Sequence, residues 1–270
     1  MGLDVYFRKI DDFQKMKDLE AAHEAFCEDQ WGGNYNGLSD ADKEVIRGRI
    51  KANALELGLK ENGEYPGKTL LPETPSTKYP DHMFNLGYWR SSYNSGGINS
   101  VAENNGLPSL YDIMMPPDGE YYFKPDWNAC LERAEKAVAA WRAAEALPES
   151  LYGVIEEQMN QFVGMSDLGR PIDSARITHE KIVSETSFAH GFSCREGSFY
   201  PEGIDVIGIR LGETMSWNKQ MVPTVHLVYR RKDGKSPLAW YRESIEIVHE
   251  TLVHMMQHPD RDQIYVAWSG

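Results

Sequence analysis

The sequence predicts an α+β fold: an antiparallel or mixed sheet that includes both chain termini, helices gathered in blocks, and a long irregular segment at about 61–122. Three observations carry this expectation. Leu3 to Ile10 alternates, with Leu3, Val5 and Phe7 on one face and Asp4, Tyr6 and Arg8 on the other, as a half-buried strand does. Gln263-Ile264-Tyr265-Val266-Ala267-Trp268 reads as a closing strand. Between them, apolar residues recur at helical spacing in separate runs.

In chain order, the first strand is followed by Phe13, Met16, Leu19 and Phe26 at near-helical spacing, a helix that ends before Trp31-Gly32-Gly33. Asn34-Tyr35-Asn36-Gly37 is turn chemistry. Ser39 with Asp42 three residues on resembles a capping box and starts a second helix carrying Val45, Ile46, Ile50, Ala54 and Leu57. From about 61 to 122 the periodicity dissolves, and Pro66, Pro72, Pro75, Pro80, Pro108, Pro116 and Pro117 break any long element. Short strands and turns are expected there, because long structureless loops are uncommon in compact domains.

An amphipathic helix is expected from about Pro125 to Leu147, with Trp127, Leu131, Ala134, Val138 and Trp141 on one face and proline in its first turn. Leu151 to Phe162 reads as one more helix. Ile204 to Leu211 and Val222 to Arg231 are strand-like, Tyr229 to Lys235 reads as a hairpin turn, and Tyr241 to Gln257 reads as a helix. The expected division is an N-terminal part, 1–123, and a C-terminal part, 124–270, or one continuous domain.

The chain has 270 residues, 41% hydrophobic and 11% aromatic, so a sizeable core is within reach and global disorder is not expected. Seven Trp and fourteen Tyr fill that core first and leave rings for a partner-facing surface. A net charge of −13 repels phosphate backbones, so no direct nucleic-acid binding is expected. The same charge suits a protein partner with a basic surface, including one that ordinarily holds nucleic acid. Three cysteines, Cys27, Cys130 and Cys194, are far apart and form no Cys-x-x-Cys, which reads as reduced thiols in a cytosolic protein. No apolar run reaches membrane-spanning length, no signal peptide is read, and Tyr6 stands where a myristoylation signal needs Ser or Thr.

The candidates for chemistry are incomplete. His249-Glu250-Thr251-Leu252-Val253-His254 is one residue too long for the zinc-protease helix, since five residues turn the second histidine by roughly 140°. His254 and His258 are four apart and could share an ion at the helix end, though they read first as a solvated pair at a helix C-terminus. His179, Glu180, His190 and Cys194, with Arg195, share one loop-rich stretch in which a Cys–His pair is conceivable. Dinucleotide, Walker and Gly-x-Ser-x-Gly loops are absent, so no cofactor and no metal are expected.

The segment that stands out is Tyr88, Trp89, Arg90, Ser91, Ser92, Tyr93 and Asn94, followed after Ser95 by Gly96-Gly97. An arginine between aromatic rings can stack and still offer five donors. Alternatively the two rings anchor a long loop and Arg90 satisfies buried carbonyls. The expected binding site is this segment.

Met1-Gly2-Leu3-Asp4-Val5-Tyr6 together with Leu86-Gly87-Tyr88-Trp89-Arg90 resembles a set of uncharacterised bacteriophage-encoded proteins. Those open with Met-Gly-Leu-Asp-x-Tyr and carry a later Gly-Tyr-Trp-Arg element. In many of them that element leads into a helix with Lys and His, whereas here it leads into Ser91 and Ser92. The resemblance implies an accessory phage origin and transfers no catalytic residue. The expectation is a non-enzymatic phage protein, homo-oligomeric and acting in the host cytoplasm, that binds and blocks a host protein such as a defence nuclease. The alternative is an enzyme acting on a small molecule or nucleotide, with Arg90 and one of His179, His190 or His249 in its site.

Overall fold

The computed structural model describes residues 4–31, 37–90, 97–158, 193–194, 197–198, 204–217 and 220–269. The fold is α+β, with antiparallel pairing throughout its described sheets. The N-terminal strand β1 (Asp4–Ile10) pairs with the C-terminal strand β12 (Ile264–Ser269), placing Val5 opposite Trp268 and Phe7 opposite Val266. On its other side β1 meets β5 (Tyr88–Arg90) near its start and β2 (Lys68–Leu70) near its end. β3 (Thr74–Pro75) and β4 (Asn85–Leu86) continue the sheet beyond β5, and β6 (Tyr122–Phe123) flanks β12.

Alternation along β1 and β12 divides the sheet into two faces. The inner face carries Val5, Phe7, Trp89, Ile264, Val266 and Trp268 into the main core. Against it lie α3 (Ile98–Asn104), α4 (Leu110–Met114), α5 (Trp127–Glu145) and α6 (Ala239–Gln257). Helix α5 buries Trp127, Cys130, Ala134, Ala137 and Trp141, one stripe at helical spacing, while Leu131 and Val138 pack at its margin. Asp126 caps this helix through Ala129 N, so Pro125 precedes the cap instead of sitting in the first turn. Helix α6 buries Ile245, Ile247, Val248, Leu252 and Met255, more than one stripe, as a central helix does, while Met256 is only half-buried. The main core draws on both sides of residue 123.

On the opposite face, the far end of the sheet is covered by α1 (Phe13–Trp31) and α2 (Asp40–Glu56). Ile10, Met16, Ala54, Leu59 and Tyr65 form a second core there, with Phe13 stacked on Tyr265 at 4.3 Å. Ser39 caps α2 through Asp42 N. Val45 faces solvent, so the α2 stripe is narrower than its apolar residues imply. Among the described residues, the irregular stretch at 61–122 resolves into five short strands, β2 to β6, and the two short helices α3 and α4.

Two expectations are corrected. The stretch expected as a helix from Leu151 to Phe162 is a short 3-10 turn, Pro148–Leu151, followed by strand β7 (Tyr152–Gln158); residues 159–162 lie outside the described residues. Tyr152, Val154 and Ile155 suit a strand, and pairing of β7 with β11 (Gln220–Arg231) decides the matter. The turn at Asp233-Gly234 joins β11 to α6 and is no hairpin, since the segment following β11 is helical. Its hairpin partner is the preceding β10 (Ile204–Trp217), with Val206 opposite Tyr229. β8 (Ser193–Cys194) and β9 (Gly197–Ser198) form a further small pair.

Candidate functional site

The β1–β5 register sets Tyr6 opposite Tyr88 and Asp4 opposite Arg90, all on the outer face of the sheet. The two tyrosine rings stack with centroids 4.6 Å apart and planes 22° apart. The Arg8 guanidinium lies 5.9 Å from the Tyr6 ring on the same face. Tyr88 Oη donates to Asp4 Oδ1 at 3.3 Å, and Arg90 Nε lies 3.9 Å from the same oxygen. Burial, then the neighbouring Tyr6 and Asp4, push the Tyr88 phenol well above its ordinary pKa, so it remains a neutral donor. Arg90 is 51% exposed and is the most accessible member of this group.

Tight local geometry aims Tyr88 outward. Gly87, at φ 89°, joins β4 to β5, and a Cβ there would stand 3.2 Å from the Pro72 carbonyl oxygen. Trp89, the next residue, points inward: it is fully buried and packs edge-on against Phe7 at 5.0 Å. Of the expected binding segment, Tyr88 and Arg90 thus share the outer face and Trp89 belongs to the core. Ser91, Ser92, Tyr93 and Asn94 lie outside the described residues. Asp4 and Tyr6 join the site through strand register, which local sequence does not encode.

A second concentration of polar groups lies around an open cavity of about 350 Å³ between α1 and the turn before β2. Glu20, His23 and Glu24 line it from α1, and Asn62, Glu64 and Lys68 from the facing chain. Lys68 is 7% exposed, with Nζ 2.8 Å from Glu20 Oε1 and 5.2 Å from the Tyr122 ring centroid. Burial alone would lower the Lys68 pKa, but the Glu20 contact and Tyr122 outweigh it, and the amine is held above its ordinary value. Glu64 also receives Arg8 Nη1 at 3.0 Å, which links the cavity wall to the outer sheet face. His23 Nδ1 lies 2.9 Å from Asn53 Oδ1, and His23 Nε2 lies 3.6 Å from Cys27 Sγ. Sequence reasoning read Cys27 only as a reduced thiol and passed over His23 and Asn53; the available signal was the four-residue spacing of His23 and Cys27 on one helix face.

Of the histidines singled out from the sequence, the described ones, His249, His254 and His258, do not converge. His249 Nε2 stands 3.9 Å from Glu135 Oε1, while the His254 and His258 rings face each other edge-on at 6.2 Å. His179, Glu180, His190 and Arg195 lie outside the described residues, and Cys194 sits on β8. Among the described residues no group of three or more His, Cys, Asp or Glu is placed to hold a metal ion. None of their helices is long and apolar enough to cross a membrane.

Compared with protein-family models, curated proteins and solved structures, the chain matches none.

Proposed function

We propose that this chain is a partner-binding protein whose contact face is the outer sheet surface built from Asp4, Tyr6, Tyr88 and Arg90. The observation that carries the reading is the Tyr6–Tyr88 stack with Arg90 beside it. Stacked tyrosines have little rotamer freedom left to lose, and Tyr and Arg are the residue types that dominate binding energy at interfaces. The fuller form of the proposal is a phage accessory protein that acts in the host cytoplasm as a homo-oligomer and blocks a host protein. The favoured target has a basic, nucleic-acid-binding surface, such as a defence nuclease. Two features support it: the net charge of −13, and the pairing of Asp4–Tyr6 with Tyr88–Arg90, which lie in the two segments that resemble phage-encoded proteins.

The test is affinity capture of the tagged chain from infected host cells, followed by mass spectrometry and by titration of the retained protein. One stoichiometric host protein, resistant to nuclease and moderate salt, is expected. Arg90→Ala and Tyr88→Ala should each weaken the complex by about tenfold or more, the loss typical of a hot-spot truncation. Unchanged affinity in both variants would remove this face from consideration.

A further inference from the structure

Beside the α1 cavity stand three linked groups that the partner-binding face does not use; His23 lines the cavity, and Cys27 and Asn53 flank its ring. Cys27 and His23 share one face of α1, and Asn53 of α2 meets the same imidazole from across the helix pair. Asn53 Oδ1 can only accept, so His23 Nδ1 donates to it, which in the neutral ring leaves the lone pair on Nε2. That lone pair stands 3.6 Å from Cys27 Sγ. A Cβ at position 63 would sit 2.7 Å from Nε2, so only glycine lets the chain pass this close to that edge of the ring, and His23 and Gly63 both line the cavity. A nucleophile, a base and a group that orients the base are present in the order that acyl transfer through sulfur uses.

We propose that Cys27 is the nucleophile of an acyl-transfer site, with His23 as its general base and Asn53 as the residue that positions the imidazole. Sγ attacks the carbonyl carbon of an acyl donor, and the S–C bond forms as the thiol proton passes to His23 Nε2. The bond from that carbon to the leaving group then breaks, and the leaving group departs with the proton. Water, deprotonated by the same nitrogen, attacks the thioester and releases the acid and the free thiol. No oxidant or reductant enters.

The surroundings define the substrate class. The low exposure of Cys27 and His23, 8% each, admits a small acyl group only. Glu20, Glu24 and Glu64 are met by Lys68, Lys60 and Arg8, so the neighbouring charges balance and a neutral donor is favoured. Burial, and then the charge of Glu24, hold the Cys27 thiol above its ordinary pKa. The nucleophile is therefore generated by His23 during attack and does not stand ready as a thiolate.

The experiment uses the full chain and p-nitrophenyl acetate near neutral pH, with release of p-nitrophenolate followed and acetylated residues mapped by mass spectrometry. An acetyl thioester on Cys27 is expected, formed about a hundredfold faster than at Cys130, the buried thiol whose polar partner is Arg133. His23→Gln should slow it by a similar factor. Asn53→Ala should slow it as well, and Asn53→Asp, which still accepts from Nδ1, should restore it. No acetylation of Cys27 in the native chain overturns the proposal outright, and so does an unchanged rate in His23→Gln. If His23→Gln fails to fold, equal rates in the two Asn53 variants overturn it instead.

Discussion

Trp89 donates its indole N–H to Thr251 Oγ1 at 3.2 Å, and both residues are fully buried. Thr251 passes the chain on by donating to the Ile247 carbonyl at 2.8 Å. This contact ties the strand that bears Tyr88 and Arg90 to the central helix α6. Thr251→Val keeps the shape and removes the acceptor, leaving a buried donor unpaired. The expected loss is about 1–3 kcal/mol of unfolding free energy, measured by urea denaturation. A variant as stable as the parent would mean that the indole N–H finds another acceptor.

Acid should loosen α6 from the loop that precedes β4. Glu246, buried within α6, accepts from Tyr79 Oη at 2.6 Å and from Arg142 Nε at 2.7 Å. One turn later, Glu250 accepts from Ser76 Oγ and from both the amide and the hydroxyl of Thr77. Burial pushes both carboxyls upward, but these donors and the nearby cations outweigh it, and both end below the ordinary glutamate range. A carboxyl whose pKa falls on folding stabilises fully above its unfolded value of about 4.3 and loses that contribution as pH drops through the folded value. Stability should therefore decline below about pH 5. Glu250→Gln should show a shallower decline than the parent in denaturant titrations across that range. Parallel curves would mean that Glu250 has no part in the acid response.

The part of this fold that could be read in advance is the part written in local periodicity. Val5 and Phe7 alternate with Tyr6 and Arg8, and Ser39 announces α2 three residues before Asp42, so β1 and that helix were both legible. Leu151 and Ile155 are four apart, which a helix and a strand accommodate equally; only the distant partner β11 selects the strand. The same limit applies to the sites. Tyr88 and Arg90 stand out by composition, whereas their neighbours Asp4 and Tyr6 come from a register spanning some eighty residues of chain. His23 and Cys27 have a spacing found on many helices, and Asn53 reaches them only because α1 packs on α2.

Two glycines near α2 have similar backbones and different surroundings. Gly58 has φ 76° and nothing within 4 Å of a prospective Cβ, whereas Gly63 has φ 81° and the His23 ring at 2.6 Å. Alanine at either position is strained in the left-handed region, by about 1 kcal/mol. At position 63 the added methyl must also displace the imidazole, and with it the contact to Asn53. Gly63→Ala should thus cost about 1–3 kcal/mol more than Gly58→Ala in paired denaturation curves. Equal losses would mean that His23 yields without resistance, and acetylation of Cys27 should then survive the Gly63 change.

Met115 offers the opposite case, a position where glycine should help. It closes α4 in the left-handed conformation, φ 47° and ψ 59°, with its amide donating to the Tyr111 carbonyl at 2.7 Å. Its side chain is 65% exposed, so little apolar burial is lost by removing it. An L-residue in this region crowds its Cβ against the following carbonyl, and glycine does not. Glycine also gains freedom in the unfolded chain, which offsets part of the relief. The net effect of Met115→Gly should be a stabilisation of about 0.5–1 kcal/mol, read as a raised thermal midpoint. A lowered midpoint would show that the Met115 side chain contributes packing which outweighs the strain of its backbone.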